Sequence, residues 1–242
     1  MQITAYGICL IAAFAVAYLW ARLRIRPHGW REAWLADLGL IALVLGLAGA
    51  RIRYVWERPE EFAHLSGAAW WRAAADIDGG GMVWYGGLLL ATVGCIIYAR
   101  WRRLPVPALA DALAPPVVAG LAIGRIGCLF NGCCFGDVCT LPWAVSGRHP
   151  TQAYETIACL MIALGTAWAG RRMTTPGHTA CLALGAYAAW RFLNESLRDH
   201  GPLVVETFAG WSLTTSQTTS VWLLVVAAGL AAWLARRPRS AP

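Results

Sequence analysis

Seven apolar stretches, each about long enough to cross a lipid bilayer, occupy most of this sequence: residues 4–21, 34–50, 82–99, 106–123, 152–170, 177–196 and 218–235. A spanning helix needs roughly 20 largely apolar residues, and inside hydrocarbon every backbone N–H and C=O must find its partner within the protein. These constraints predict an all-α integral membrane protein: seven transmembrane helices with irregular outer-face loops, forming a single polytopic membrane domain over residues 1–242. Composition agrees, since 58% of the residues are hydrophobic and 14% charged and the mean hydropathy is +0.52, which excludes an ordinary soluble domain. The first stretch lacks the leading positive charges of a cleavable signal, so it reads as a helix that stays.

The arginines orient the bundle. All twenty basic residues are arginine, and they gather after the odd-numbered stretches: Arg22, Arg24, Arg26 and Arg31, then Arg100, Arg102 and Arg103, then Arg171 and Arg172, then Arg236, Arg237 and Arg239. Short basic loops stay in the cytoplasm. The expected topology therefore has the N-terminus outside and the C-terminus cytoplasmic, with segments 51–81, 124–151 and 197–217 on the outer face. Tryptophans mark both borders, with Trp20, Trp34, Trp101, Trp168 and Trp233 at inner ends and Trp70, Trp71, Trp84, Trp143, Trp211 and Trp222 near outer ones, as interfacial belts require. The net charge of +7 then serves topology and the attraction of anionic headgroups. It implies a membrane lipid as partner and no nucleic acid.

Charges at membrane depth cost about 2.5–3.5 kcal/mol each on insertion scales, so their presence points to function. In the sixth stretch Tyr187, Arg191, Glu195 and Arg198 recur at helical spacing on one face, with Asn194 beside them. One reading is an Arg191–Glu195 pair that cements the bundle; the other leaves Arg191 partly free to bind an anion. Arg125, at the outer end of the fourth stretch, supplies a second cation, and Arg51 and Arg53 at the end of the second stand on the same side. Guanidinium groups hold phosphate in a bidentate fork, and in a membrane the available phosphate belongs to a lipid.

Three further segments draw attention. "DGGGMVWYGG" at 78–87 opens the third stretch, where glycines serve close helix packing as readily as ligand access, and Tyr85 between them is placed to donate a hydrogen bond or act as a base. "GRHPTQAYE" at 147–155 carries His149, which titrates near neutrality or holds a loop, and continues into Gln152, Tyr154 and Glu155. "GRIGCLFNGCCFGDVC" at 124–139 combines Arg125 with Cys128, Cys133, Cys134 and Cys139. In an oxidising exterior Cys128–Cys133 or Cys134–Cys139 would close as a disulfide; alternatively, Arg125 and the glycine-turn amides would generate a reactive thiolate. A four-cysteine zinc site fits the spacing poorly, because Cys133 and Cys134 are adjacent, and neither a metal nor a cofactor is expected. Cys9, Cys95, Cys159 and Cys181 lie in apolar stretches as small fillers.

The ordered set of motifs resembles the prolipoprotein diacylglyceryl transferases nearly end to end. It runs through Tyr6-Gly7, "ARIRY" at 50–54, "GGM" at 80–82, "YGG" at 85–87, "GRIG" at 124–127, then Asn131, Gly132 and Gly136. "RHPTQAYE" at 148–155, the Tyr187, Arg191, Glu195, Arg198 series, and Gln217 with Ser220 complete it. The resemblance implies a seven-helix enzyme of the bacterial plasma (inner) membrane, its active site toward the outer face. Such an enzyme moves a diacylglyceryl group from phosphatidylglycerol to the lipobox cysteine thiol of a lipoprotein signal peptide, or to another thiol acceptor, with glycerol phosphate leaving. Carried onto this sequence, it makes Arg125 and Arg191 the phosphate arginines, oriented by Glu195 and Asn131, with Tyr85 or His149 handling the thiol proton. Arg198, Tyr6, Arg51, Gly132, Gly136, Tyr187 and Gln217 complete the substrate-binding set. The family signature G-R-x-G-N-F-x-N-G-E is altered here, with Cys128 at its first asparagine, Leu129 at its phenylalanine and Cys133 at its glutamate, and Tyr85 stands at a family histidine. These changes leave open a related lipid transferase with another acceptor or a thiol-dependent step, and a non-enzymatic lipid-binding or redox membrane protein.

Overall fold

The computed structural model describes residues 5–76, 83–198, 204–206 and 212–236; Trp211, Arg237, Arg239 and the "GGM" motif lie outside them. The described residues form nine helices: α1 (Ala5–Ile25), α2 (Glu32–Glu57), the short α3 (Pro59–Phe62) and α4 (Gly67–Ala75), α5 (Trp84–Trp101), α6 (Val106–Phe130), α7 (Thr151–Gly170), α8 (His178–Glu195) and α9 (Thr215–Arg236). A two-stranded antiparallel ribbon, β1 (Val204–Glu206) with β2 (Ser212–Thr214), pairs Val205 with Leu213 and leads into α9. The α1 segment continued to His28, together with α2, α6, α7 and α9, is long and apolar enough to cross a membrane, while α5 is apolar but shorter. Side chains such as Ile11, Leu40, Leu89, Leu164 and Val225 stand exposed along these helices, an outward apolar surface that hydrocarbon, not water, accommodates. The chain is a multi-pass membrane protein.

The chain divides into two compact units, Met1–Pro27 with Pro107–Pro242, and His28–Val106. In the first, Val118, Ala119 and Ala122 of α6 meet Cys159 and Ala163 of α7 and Ala183 and Tyr187 of α8. Small residues let these backbones approach, the usual means of helix association where burying apolar surface gives little advantage over lipid. A β-carbon at Gly120 would lie 3.0 Å from the Ala13 carbonyl oxygen, and one at Gly127 3.0 Å from Cys9 Cβ and 3.2 Å from the Tyr6 ring, so α1 lies tight on α6. The first turn of α8 is capped from another helix: the Asp111 carboxylate of α6 accepts from Gly177 N at 2.6 Å and Ala180 N at 2.8 Å. A carboxylate there satisfies orphan N–H groups and complements the helix dipole.

In the second unit α2 packs on α5 through facing glycines. A β-carbon at Gly86 would fall on the Gly49 carbonyl, and one at Gly87 would lie 2.6 Å from Gly46 O. The "YGG" glycines thus serve close packing, one of the two readings of that segment. Arg51 is buried, its Nε and Nη2 donating to the carbonyls of Ala74 and Ala73 at 2.9 and 2.7 Å, where the orphan acceptors of the last turn of α4 need a cationic donor.

Candidate functional site

The polar groups of the first unit converge on one carboxylate. Glu155, one turn into α7 and only 2% exposed, accepts Arg125 Nη2 at 3.1 Å and faces Arg191 Nη1 at 3.5 Å. It also accepts Tyr187 Oη at 3.0 Å and Asn194 Nδ2 at 3.4 Å. Beside it, Glu195 binds Arg191 Nη2 at 2.6 Å and Arg198 Nη1 at 3.6 Å. Among the described residues, three guanidiniums thus stand against the two carboxylates named. Arg125 Nε is buried without a hydrogen-bond partner among the described residues, as is Arg191 Nη1, which lies 3.5 Å from the Glu155 oxygen already named. Buried donors left over in this way suit a bound anion.

Helix geometry explains the convergence. Tyr187, Arg191, Asn194 and Glu195 share one face of α8, and α8 packs against both α7 and α9. Arg125 reaches across from α6. On the other side of Arg191, Nη2 donates to Ser216 Oγ of α9 at 3.3 Å. The Arg191–Glu195 pair expected from the sequence is present, but it is one link in a network held by four helices. That network's centre, Glu155, escaped the sequence reading, where it was only the last residue of "RHPTQAYE". A carboxylate inside a membrane-length helix is as anomalous as Arg191, and the same rule would have found it.

The loop between α6 and α7 is shaped by the same region. Gly132 has φ +67 and Cys134 φ +65, both left-handed. Thr151 Oγ1 donates to Cys134 O at 2.6 Å, and Gln152 Nε2 donates to Cys133 O, tying the turn to the first turn of α7. Gly136 is required by space: a β-carbon would fall on Leu197 O and lie 2.8 Å from both His149 Cβ and Thr151 Cγ2. Gly136 N donates to His149 O at 2.8 Å and Asp137 N to Leu197 O at 3.0 Å, and Gly136 bridges Arg198. All eight cysteines are unpaired thiols, so neither Cys128–Cys133 nor Cys134–Cys139 is closed here. Instead Cys128, Cys133 and Cys134 bring their sulfurs within 4.8 Å of one another, while Cys139 is tied separately through its N–H to Gly147 O at 2.9 Å. The Cys134 thiol is held below the usual thiol range, first by the hydrogen bond from Cys128, with Arg198 and Arg125 adding positive charge against the effect of burial.

The remaining expected residues are placed differently. Asn131 is exposed, its backbone N–H continuing the last turn of α6 to Gly127 O at 2.9 Å. His149 Nδ1 lies 3.4 Å from Tyr154 Oη, itself bound by Trp143 Nε1 at 2.8 Å. Gln217 builds a reciprocal cap on α9: its N–H donates to Thr214 Oγ1 and its Oε1 accepts Thr214 N–H, both at 3.1 Å. This is a capping box, and Gln217 Nε2 adds a bond to Ser196 Oγ at 3.1 Å. Tyr6 lies in the first turn of α1, its ring against Gly127. Tyr85, half-buried in the first turn of α5, and Arg51 belong to the second unit.

Residues 1–233 match the family described as prolipoprotein diacylglyceryl transferase. The chain is 36% identical over 206 residues to phosphatidylglycerol--prolipoprotein diacylglyceryl transferase 1 of Streptomyces coelicolor, covering 80% of this chain and 59% of that protein. To transferase 2 of the same organism it is 34% identical over 243 residues, 94% of this chain and 75% of that one. To the Streptomyces griseus protein of the same description it is 35% identical over 205 residues, 80% and 62%. The matched region thus spans between about three-fifths and three-quarters of these relatives' lengths. With a full-length family match and identities above 30% over most of its length, the chain belongs to the prolipoprotein diacylglyceryl transferase family.

Proposed function

We propose that this protein transfers the diacylglyceryl group of phosphatidylglycerol to the cysteine thiol of a lipoprotein signal peptide. The observation that carries the reading is the buried cluster in which Arg125 and Arg191 converge on Glu155, with Arg198 on the neighbouring Glu195. In the reaction the thiol sulfur forms a bond to the glycerol carbon while that carbon's bond to the phosphate oxygen breaks, and glycerol phosphate leaves with the bonding pair. Negative charge builds on the departing phosphate, which preorganised guanidinium donors stabilise without reorganisation. Glu155 and Glu195 hold the arginines in place, so the donors are fixed before substrate arrives. His149 relays the thiol proton to water. For Tyr85 a proton-handling role rests on the family resemblance alone.

The same reading gives the protein seven spans, with α5 and α8 added to the five longer apolar helices. The N-terminus lies outside and the C-terminus in the cytoplasm, as the arginine distribution implies. The α6–α7 loop and the arginine cluster then face the outer side of the bacterial plasma membrane, where a signal peptide emerges. The experiment is mass spectrometry of a lipobox cysteine peptide incubated with the purified protein and phosphatidylglycerol in detergent. A diacylglyceryl mass increase that disappears in Arg125→Ala and Arg191→Ala supports the proposal. Near-normal transfer by either variant would overturn the role of the arginines, and no transfer by the folded wild-type protein would overturn the reaction.

A further inference from the structure

Three thiols beside the arginine cluster have no part in binding phosphate. Cys128 sits in the last turn of α6, three residues and so nearly one helical turn beyond Arg125. Cys133 and Cys134 follow on a tight turn closed by Cys133 N donating to Cys128 O at 3.2 Å. The three sulfurs lie within 4.8 Å of one another, and Cys133 Sγ is 3.7 Å from Cys134 Sγ. With a Zn–S bond of about 2.3 Å, neighbouring ligands of a tetrahedral zinc stand about 3.8 Å apart. The spacing between the two adjacent cysteines is therefore already that of one ligand edge.

We propose that Cys128, Cys133 and Cys134 bind one zinc ion through three thiolates, leaving its fourth position open to the acceptor thiol. The objection to zinc from sequence spacing is the adjacency of Cys133 and Cys134, and the turn meets it by setting their sulfurs 3.7 Å apart, while Cys139 stands outside the cluster of three. The turn is held from behind as ligand-bearing turns are: Thr151 Oγ1 and Gln152 Nε2 bind the carbonyls of Cys134 and Cys133. Cys134 also keeps a left-handed backbone that a non-glycine residue holds only when its surroundings impose it. All three thiols are half-buried, neither sealed in a core nor freely solvated. Three sulfur ligands select a thiophilic cation, and three protein ligands with one vacancy are the pattern of zinc sites that do chemistry.

This inference rests on the transferase reading for its use. An acceptor thiol entering the open position is bound as thiolate, its proton passing to water. The zinc-bound sulfur then gives an electron pair to the glycerol carbon as the carbon–oxygen bond to phosphate breaks; glycerol phosphate departs at the arginines, and the neutral thioether, a weak ligand, leaves the metal. Zinc keeps its oxidation state throughout. Cys128 and Cys133 stand where the family signature has asparagine and glutamate, so the two departures supply two of the three ligands.

The test is zinc content by elemental mass spectrometry on the full chain, purified in detergent under reducing conditions, with cadmium as an optical probe of thiolate ligation. One zinc per chain and a sulfur-to-cadmium charge-transfer band are expected. Cys128→Ser, Cys133→Ser and Cys134→Ser lose the metal, Cys139→Ser keeps it, and Gln152→Ala binds about tenfold more weakly. Absence of zinc and of the cadmium band in the wild-type protein, or loss of metal from folded Cys139→Ser, would overturn the three-thiolate site. Transfer that disappears on chelation and returns with zinc supports the acceptor role; full transfer by metal-free protein would overturn that role. Zinc-loaded, folded protein that transfers nothing would instead refute the diacylglyceryl reading and leave the metal site standing.

Discussion

Removing Arg125 and Glu155 separately and then together distinguishes an arginine that merely neutralises a buried carboxylate from one that works on substrate. Glu155 is 2% exposed and lies 3.1 Å from Arg125. Breaking a buried pair from one side costs about 3–5 kcal/mol, because the other charge is left unpaired. Here the lower figure applies. After Arg125→Ala, Glu155 still has Arg191, Tyr187 and Asn194 around it; after Glu155→Gln, Arg191 keeps Glu195 at 2.6 Å, and Arg125 alone is stranded. Each single variant should lose about 3 kcal/mol, or about 6–12 °C in thermal midpoint for a chain of this size. The double variant strands no charge, so it should recover most of that loss, and the two effects are strongly non-additive. Activity should not recover with it. If Arg125 stabilises the departing phosphate, the double variant stays about 100- to 1000-fold below wild type in kcat, the usual loss of one charge-stabilising donor. Thermal unfolding in detergent and peptide lipidation read the two quantities on the same preparations. A double variant with restored stability and wild-type turnover would refute the catalytic assignment and leave Arg125 a structural counter-ion.

Gly136→Ala places a methyl group against Leu197 O, His149 and Thr151; it should cost about 1–3 kcal/mol by overpacking, read as a lowered thermal midpoint, with a wild-type midpoint as the contrary result. Asp111→Ala removes the carboxylate that caps α8 and should destabilise by about 1–3 kcal/mol, an amount that unfolding of Asp111→Asn should partly restore. Gln217→Ala should lower stability by about 0.5–2 kcal/mol through loss of the cap while leaving the KM for phosphatidylglycerol unchanged. A large rise in KM would instead return Gln217 to the lipid site that the sequence reading gave it.

Much of this architecture was legible in the sequence because hydrophobicity and helical spacing are local quantities. The polar face of α8 follows from counting along one segment, and Glu195 does bind Arg191 there. What counting cannot give is the partner on another helix. Glu155 is 30 residues from Arg125 in sequence, and nothing local says that its carboxylate, rather than the exposed amide of Asn131, holds the guanidinium. Gln217 enters the substrate-binding set through the family motif alone. Its spacing from Thr214 is also the capping-box spacing, which sequence alone offers and which the structure shows made. Spacing alone groups the four cysteines in pairs or as one set of four, and only the fold separates Cys139 from the three whose sulfurs meet.

Among the long helices, α8 shows why polar groups gather where they do. The last turns of α8 carry Arg191, Asn194 and Glu195, a run that no isolated helix would take into hydrocarbon. Its neighbours satisfy it at both ends. Asp111 of α6 caps its first turn, and Glu155 of α7 meets its arginine near the last. If α8 crosses the bilayer as proposed, carboxylates from two other helices make its charges tolerable there, and they fix Arg191 where it could not relax around a bound phosphate. On the proposed reading the charge is held by the same bonds that preorganise it, so stability and phosphate recognition would depend on one network, and substitutions within it should change both unless the charges are removed in pairs.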